Sequence, residues 1–99
     1  NDYGYDEVYS RLVEGTMQAG DILIGLSTSG NSPNIVKAFE TAKAKNITTI
    51  GFTGNDGGKL STLSQYLLNI PSTNTPRIQE SHIMLGHIIC EIVEANLFP

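Results

Sequence analysis

The sequence predicts an α/β protein built on a parallel sheet. Three observations carry that expectation. Short apolar runs bounded by turn residues, at Ile22–Leu26, 47–52 and Tyr66–Ile70, have the length of core strands. Longer stretches with helical spacing of apolar residues follow them, at 33–45 and 76–95. The first two runs each end in a turn rich in glycine and hydroxyl residues. Strands that alternate with helices imply right-handed crossovers, and ligands of such sheets bind at the carboxyl ends of the strands.

Residues 1–5 read as a loop. Asp6 can cap a helix over about 7–18, with Val8, Leu12 and Val13 as its apolar stripe. Gly20 closes that region, and the first strand follows. Ser32 can cap the next helix, and Pro33 suits its first position, where a missing N–H costs nothing. Ile35, Val36, Ala38, Phe39 and Ala42 form its buried face. Lys43 and Lys45 suit the negative end of the helix dipole, and Asn46 suits a left-handed end residue. The second strand is rich in β-branched residues (Ile47, Thr48, Thr49, Ile50). A glycine-rich turn at 53–58, a short helix at 59–63 and the third strand come next, and Pro71 ends that strand. The final helix starts at Pro76. Ile78, Ile83, Leu85, Ile88, Ile89, Ile92 and Val93 make it apolar around much of its circumference, so burial on more than one side is expected, against its own sheet and another subunit.

Bulk properties narrow the function classes. The chain has 99 residues, enough for one small domain, with 39% hydrophobic and 16% charged residues, as in soluble globular proteins. A formal charge of −4 and scattered basic residues argue against a nucleic-acid surface. The single cysteine, Cys90, excludes an internal disulfide or a cysteine-based zinc site; in an apolar helix it reads as a buried, inert thiol. No apolar run approaches a membrane span and no signal-peptide pattern opens the chain, so a reducing cytoplasm is expected. The start at Asn1 has no initiator Met and runs at once into turn residues, as in a segment of a longer chain.

The stretch with most chemistry is Ser27-Thr28-Ser29-Gly30-Asn31-Ser32-Pro33. Free N–H groups at a helix start, beside several hydroxyls, suit an anion such as a phosphate. The same residues also suit a strand–turn–helix junction that binds nothing. The glycine spacing of dinucleotide folds and the Gly-Lys-Ser/Thr of a P-loop are both missing, so no nucleotide cofactor is expected.

Taken with Thr53-Gly54-Asn55-Asp56-Gly57-Gly58 and Arg77-Ile78-Gln79-Glu80-Ser81-His82, and with the opening Asn1-Asp2-Tyr3-Gly4-Tyr5, this stretch resembles the sugar isomerase (SIS) domain family and, within it, the phosphoheptose isomerases. The resemblance implies a flavodoxin-like three-layer α/β/α sandwich with a five-stranded parallel sheet. Residues 1–99 would form the C-terminal part of a single SIS domain, about half of it. It implies a homotetramer with active sites at subunit interfaces. The implied reaction interconverts sedoheptulose 7-phosphate and a manno-heptose 7-phosphate, an aldose–ketose isomerisation through an enediolate.

Carried over by residue, the resemblance makes Asn1, Asp2, Ser27, Thr28, Ser29, Ser32 and Gln79 the phosphosugar ligands. Neutral hydroxyl and N–H donors would let a net-negative chain bind a phosphate. His87 becomes the acid/base histidine, a role that suits an imidazole; the glutamate base falls outside the chain. Zinc is implied for some members, with Gln79 and His87 matching two of its ligands. Those two residues lie eight apart, about 80° and about 12 Å along an ideal helix, which strains a shared ion. His82, about 140° from His87, reads as a packing or hydrogen-bonding residue. Glu80 suits the helix N-terminus, with Arg77 able to pair with it or with another subunit. Two non-enzymatic readings compete. One is a SIS relative that binds the bacterial replication initiator, whose chain also ends in a stretch like Leu97-Phe98-Pro99 but lacks the His87 counterpart. The other is a phosphosugar-sensing module.

Overall fold

The computed structural model describes residues 4–99; Asn1 and Asp2 lie outside the described residues. A single 3-10 turn (Tyr5–Glu7) leads into α1 (Val8–Thr16), followed by β1 (Ile22–Leu26), α2 (Pro33–Ala44), β2 (Thr48–Gly54), α3 (Leu60–Leu63), β3 (Tyr66–Ile70) and α4 (Thr75–Leu97). The strands form a parallel sheet in the order β1-β2-β3. Ile22 pairs with Thr48, and Ile50 with Tyr66, so the carboxyl ends of all three strands lie along one edge.

The two faces of the sheet are covered unequally. Leu23 and Gly25 of β1, with Thr49 and Gly51 of β2, face α2 and α3. Gly25 is needed there because a Cβ would lie 2.5 Å from the Phe39 ring. Phe39 and Leu60 are fully buried on this side and pack with Val36, while Val13, Ala38, Ala42 and Ile47 tie α1 to α2. Lys45 Nζ donates to the carbonyls of Val13, Glu14 and Met17, satisfying the open end of α1. At the other end of α2, Lys37 pairs with Glu7 at 2.8 Å, and that hydrogen bond raises the lysine's pKa above its ordinary value. Phe39→Ala is expected to cost about 3–5 kcal/mol of stability, measured by denaturant unfolding, because it empties the centre of this layer.

Among the described residues the opposite face meets the start of α4, at Phe52 and Gly54. Ile22, Ile24 and Leu26 point to that side and are 59%, 45% and 51% exposed, so β1 is an edge strand with one open face rather than the fully covered core strand expected. The apolar length of the run is real, but its partners are not within these residues. The same holds for α4. Of its 23 residues only Ile78 and His82 are buried, where burial on more than one side was expected. Cys90 is exposed for the same reason, against its expected burial.

Other departures are local. Asp6 sits in the 3-10 turn and makes no capping hydrogen bond, and α1 ends at Thr16 rather than near 18. β2 starts one residue late because Ile47 N–H closes onto Ala42 O, and it runs on through Thr53 and Gly54, which pair with Asn69 and Ile70. Asn46 adopts the left-handed conformation expected of a helix-end residue (φ 59°).

Candidate functional site

The turn after β1 is organised by one hydroxyl. Ser27 is buried, and its N–H continues the β ladder to Phe52 O at 2.9 Å. Its Oγ accepts the N–H groups of Gly30 (3.1 Å) and Ser32 (3.4 Å) and bonds the Ser32 hydroxyl at 2.8 Å. Ser32 is the N-cap residue of α2, yet its side chain turns back to Ser27 instead of capping the helix. Ser29 Oγ accepts the Asn31 N–H. The N–H groups of Thr28 and Ser29 make no hydrogen bond among the described residues and remain open as donors.

The turn after β2 braces the first one. Lys59 N–H donates to Asn31 Oδ1 (2.8 Å) and Leu60 N–H to Gly30 O (3.1 Å). Asp56 Oδ1 accepts the Gly58 N–H. Contact is so close at Gly30 (φ 73°) that a Cβ there would lie 1.9 Å from Gly57 O. Gly30, Gly57, Gly58 and Asn31 therefore share one structural task, the close packing of the two turns.

α4 closes the third side. Its first turns place Gln79, His82 and Ile83 opposite Leu26, Ser27, Thr28 and Ser32, around a cleft of about 460 Å³ at the carboxyl edge of the sheet. Gln79 thus lines the same cleft as Ser27, Thr28 and Ser32, with which the family resemblance groups it. Ser29 is exposed and lies outside the cleft lining, though it belongs to the same turn. His87 does not line the cleft either; it is exposed, two turns further along α4. Asn1 and Asp2 are outside the described residues.

His82 is buried, with Nε2 2.7 Å from Thr53 O and its ring edge-on to Phe52, as a packing and hydrogen-bonding histidine should be. Its place in the cleft lining was not anticipated. The signal was available, because residues 79, 82 and 83 share one helix face. Arg77 pairs with Glu80 at 2.6 Å. Gln79 and His87 sit on one uninterrupted helix, about 12 Å apart along its axis. No group of three His, Cys, Asp or Glu side chains that could hold a metal occurs among the described residues.

A parallel sheet with a hydroxyl-lined cleft at its carboxyl edge defines an α/β protein whose cleft lies where such sheets bind ligands. The SIS domain model matches residues 1–54, and the chain belongs to the SIS domain family. Among similar proteins are the phosphoheptose isomerases of Sulfurimonas denitrificans, 59% identical over 99% of this chain and 50% of that protein, and of Burkholderia pseudomallei, 55% identical over the same shares. The solved structures that resemble it include phosphoheptose isomerase GmhA from Neisseria gonorrhoeae, with a TM-score of 0.90 and 45% identity over 94% of this chain and 53% of that one. A phosphoheptose isomerase from Francisella tularensis matches with the same TM-score at 33% identity, over 94% of this chain and 50% of that one. The chain spans about half the length of the curated relatives it matches.

Proposed function

We propose that this chain is the phosphate-holding C-terminal half of a phosphoheptose isomerase, which converts sedoheptulose 7-phosphate to D-glycero-D-manno-heptose 7-phosphate. The observation that carries the reading is the 27–32 turn at the sheet's carboxyl edge, with two unbonded N–H groups and a Ser27–Ser32 hydroxyl pair that lines one cleft with Gln79. Similarity to phosphoheptose isomerases over 99% of the chain supports the substrate class.

In this reading the Thr28 and Ser29 N–H groups and the hydroxyls of Thr28, Ser29 and Ser32 take the phosphate oxygens, while the Ser27 hydroxyl holds the turn in shape. No cation is needed, since oriented N–H dipoles stabilise the anion. Gln79 and the opening Asn1 and Asp2 bind sugar hydroxyls. Isomerisation removes a proton from C1 of the ketose and returns one to C2, with the hydroxyl protons moving in step through an enediolate. His87 is the proton-moving group of this chain, and a carboxylate base comes from outside it. Zinc at Gln79 and His87 needs ligands that residues 4–99 do not contain, so no step is derived through it.

The exposed apolar side chains of α4, among them Ile83, Ile88 and Ile92, support assembly with further chain and with other subunits, a homotetramer in this reading. No helix among the described residues is long and apolar enough to cross a membrane, and the enzyme is proposed to act in the cytoplasm.

The test is turnover of sedoheptulose 7-phosphate by the full-length protein. Ser27→Ala is expected to raise KM at least about tenfold, because it removes the acceptor that holds two backbone N–H groups. Tight sugar-phosphate binding without turnover would indicate a sensor instead. Binding to the replication initiator, lost in Phe98→Ala and without turnover, would indicate the replication role.

A further inference from the structure

α4 is attached to its sheet through two side chains. Ile78 and His82 are its only buried residues, and at a spacing of four they stand one above the other on the same face. Ile78 occupies the space that Gly54 leaves open: a Cβ on Gly54 would lie 2.4 Å from Ile78 Cδ1 and 2.9 Å from Thr28 O. That contact is apolar and non-directional, so it fixes how closely the helix approaches but not its height or rotation.

His82 supplies direction. Thr53 O is a carbonyl and can only accept, so the ring nitrogen 2.7 Å away, Nε2, carries the proton. The anchor is rigid, because Thr53 is fully buried and its hydroxyl donates to Asn69 Oδ1 at 2.8 Å. The Phe52 ring, edge-on with centroids 5.7 Å apart, restricts the imidazole from the side. With Nε2 committed to the backbone, that atom is not available to move a substrate proton. Gln79 and Ile83, three residues before and one after, line the cleft opposite Ser27, Thr28 and Ser32.

We infer that His82 is a positioning residue, whose Nε2–H bond to Thr53 O sets the height and rotation of α4 and thereby the place of Gln79 opposite the phosphate-holding turn. This rests on the cleft's reading as a phosphosugar site. It distinguishes the two histidines of the chain: one ring is committed to the backbone, and the other is open.

The experiment compares His82→Gln, which keeps an N–H donor of similar reach, with His82→Met, which does not, in the full-length protein. Three quantities are measured: KM and kcat for sedoheptulose 7-phosphate, affinity for inorganic phosphate, and amide hydrogen exchange over residues 75–83. The turn is braced by its own hydrogen bonds, so phosphate affinity is expected to stay within about twofold in both variants. His82→Met is expected to raise KM about tenfold and to speed exchange in 75–83, while His82→Gln restores both to within about threefold. Parallel loss of phosphate and heptose affinity in His82→Met would overturn the inference, since that marks general collapse of the site. Unchanged exchange in His82→Met, or a His82→Gln variant as impaired as His82→Met, would also overturn it. Should His82→Met not fold, the glutamine variant decides: a KM more than about tenfold above wild type contradicts the hydrogen-bond account. A wild-type protein without turnover refutes the isomerase reading alone, and exchange and phosphate affinity then still decide the role of His82.

Discussion

His87→Ala is expected to lower kcat for sedoheptulose 7-phosphate in the full-length protein by about 10²–10⁴-fold, the usual worth of a positioned acid or base. Inorganic phosphate should bind the variant as well as the wild type. The reason lies in the contrast between the two histidines. His82 spends a ring nitrogen on Thr53 O, whereas His87 is exposed and makes no hydrogen bond among the described residues. It also stands two turns beyond Gln79 on the same continuous helix. Loss of phosphate affinity together with kcat would instead make His87 part of the anion site. A decrease in kcat of less than about threefold would remove it from the chemistry.

Gly30→Ala is expected to destabilise the protein by about 2–4 kcal/mol and to weaken phosphate binding at least about tenfold. Two costs combine. The residue has φ 73°, which an L side chain adopts only with strain, and its Cβ would lie 1.9 Å from Gly57 O. Relief requires the two turns to part, and parting strains the Leu60–Gly30 and Lys59–Asn31 hydrogen bonds that hold Ser29 and Ser32 in place. Gly15→Ala is the control. Gly15 lies in α1 with nothing within 4 Å of a Cβ, so alanine there should stabilise by up to about 1 kcal/mol. Urea midpoints of the two variants should move in opposite directions. Equal midpoints would show that the turns are not locked together.

The elements whose cause is local were legible in the sequence. β1 and β3 fall where β-length apolar runs are bounded by Gly, Pro and polar residues, and Pro33 opens its helix as its missing N–H allows. The 27–32 segment was legible as a strand–turn–helix junction, since its glycine, serine and proline suit a turn and a helix start. What the sequence concealed depends on partners in space. Ser32 reads as a cap, but the hydroxyl of Ser27, five residues earlier, competes for it successfully. Asp6 reads as a cap, but a 3-10 turn displaces the helix start. Ile22, Ile24, Leu26 and Cys90 read as buried from their apolar neighbourhoods, yet burial needs a covering surface, and α4 reaches the sheet only near Phe52 and Gly54. Asn31 gave no hint that it braces the turn after β2, since its partner lies 28 residues away.

The central claim is that the turn after β1 holds the phosphate of a heptose phosphate. The most direct measurement is amide chemical-shift mapping of the full-length protein during titration with sedoheptulose 7-phosphate. Saturable shifts are expected at Thr28, Ser29, Gly30 and Ser32, reproduced at Thr28 and Ser29 by inorganic phosphate alone and saturating at concentrations at least about tenfold higher in Ser27→Ala. Saturable shifts confined to the apolar groove between α1 and β1, lined by Leu12, Met17 and Ile24, with the 27–32 turn silent, would contradict it.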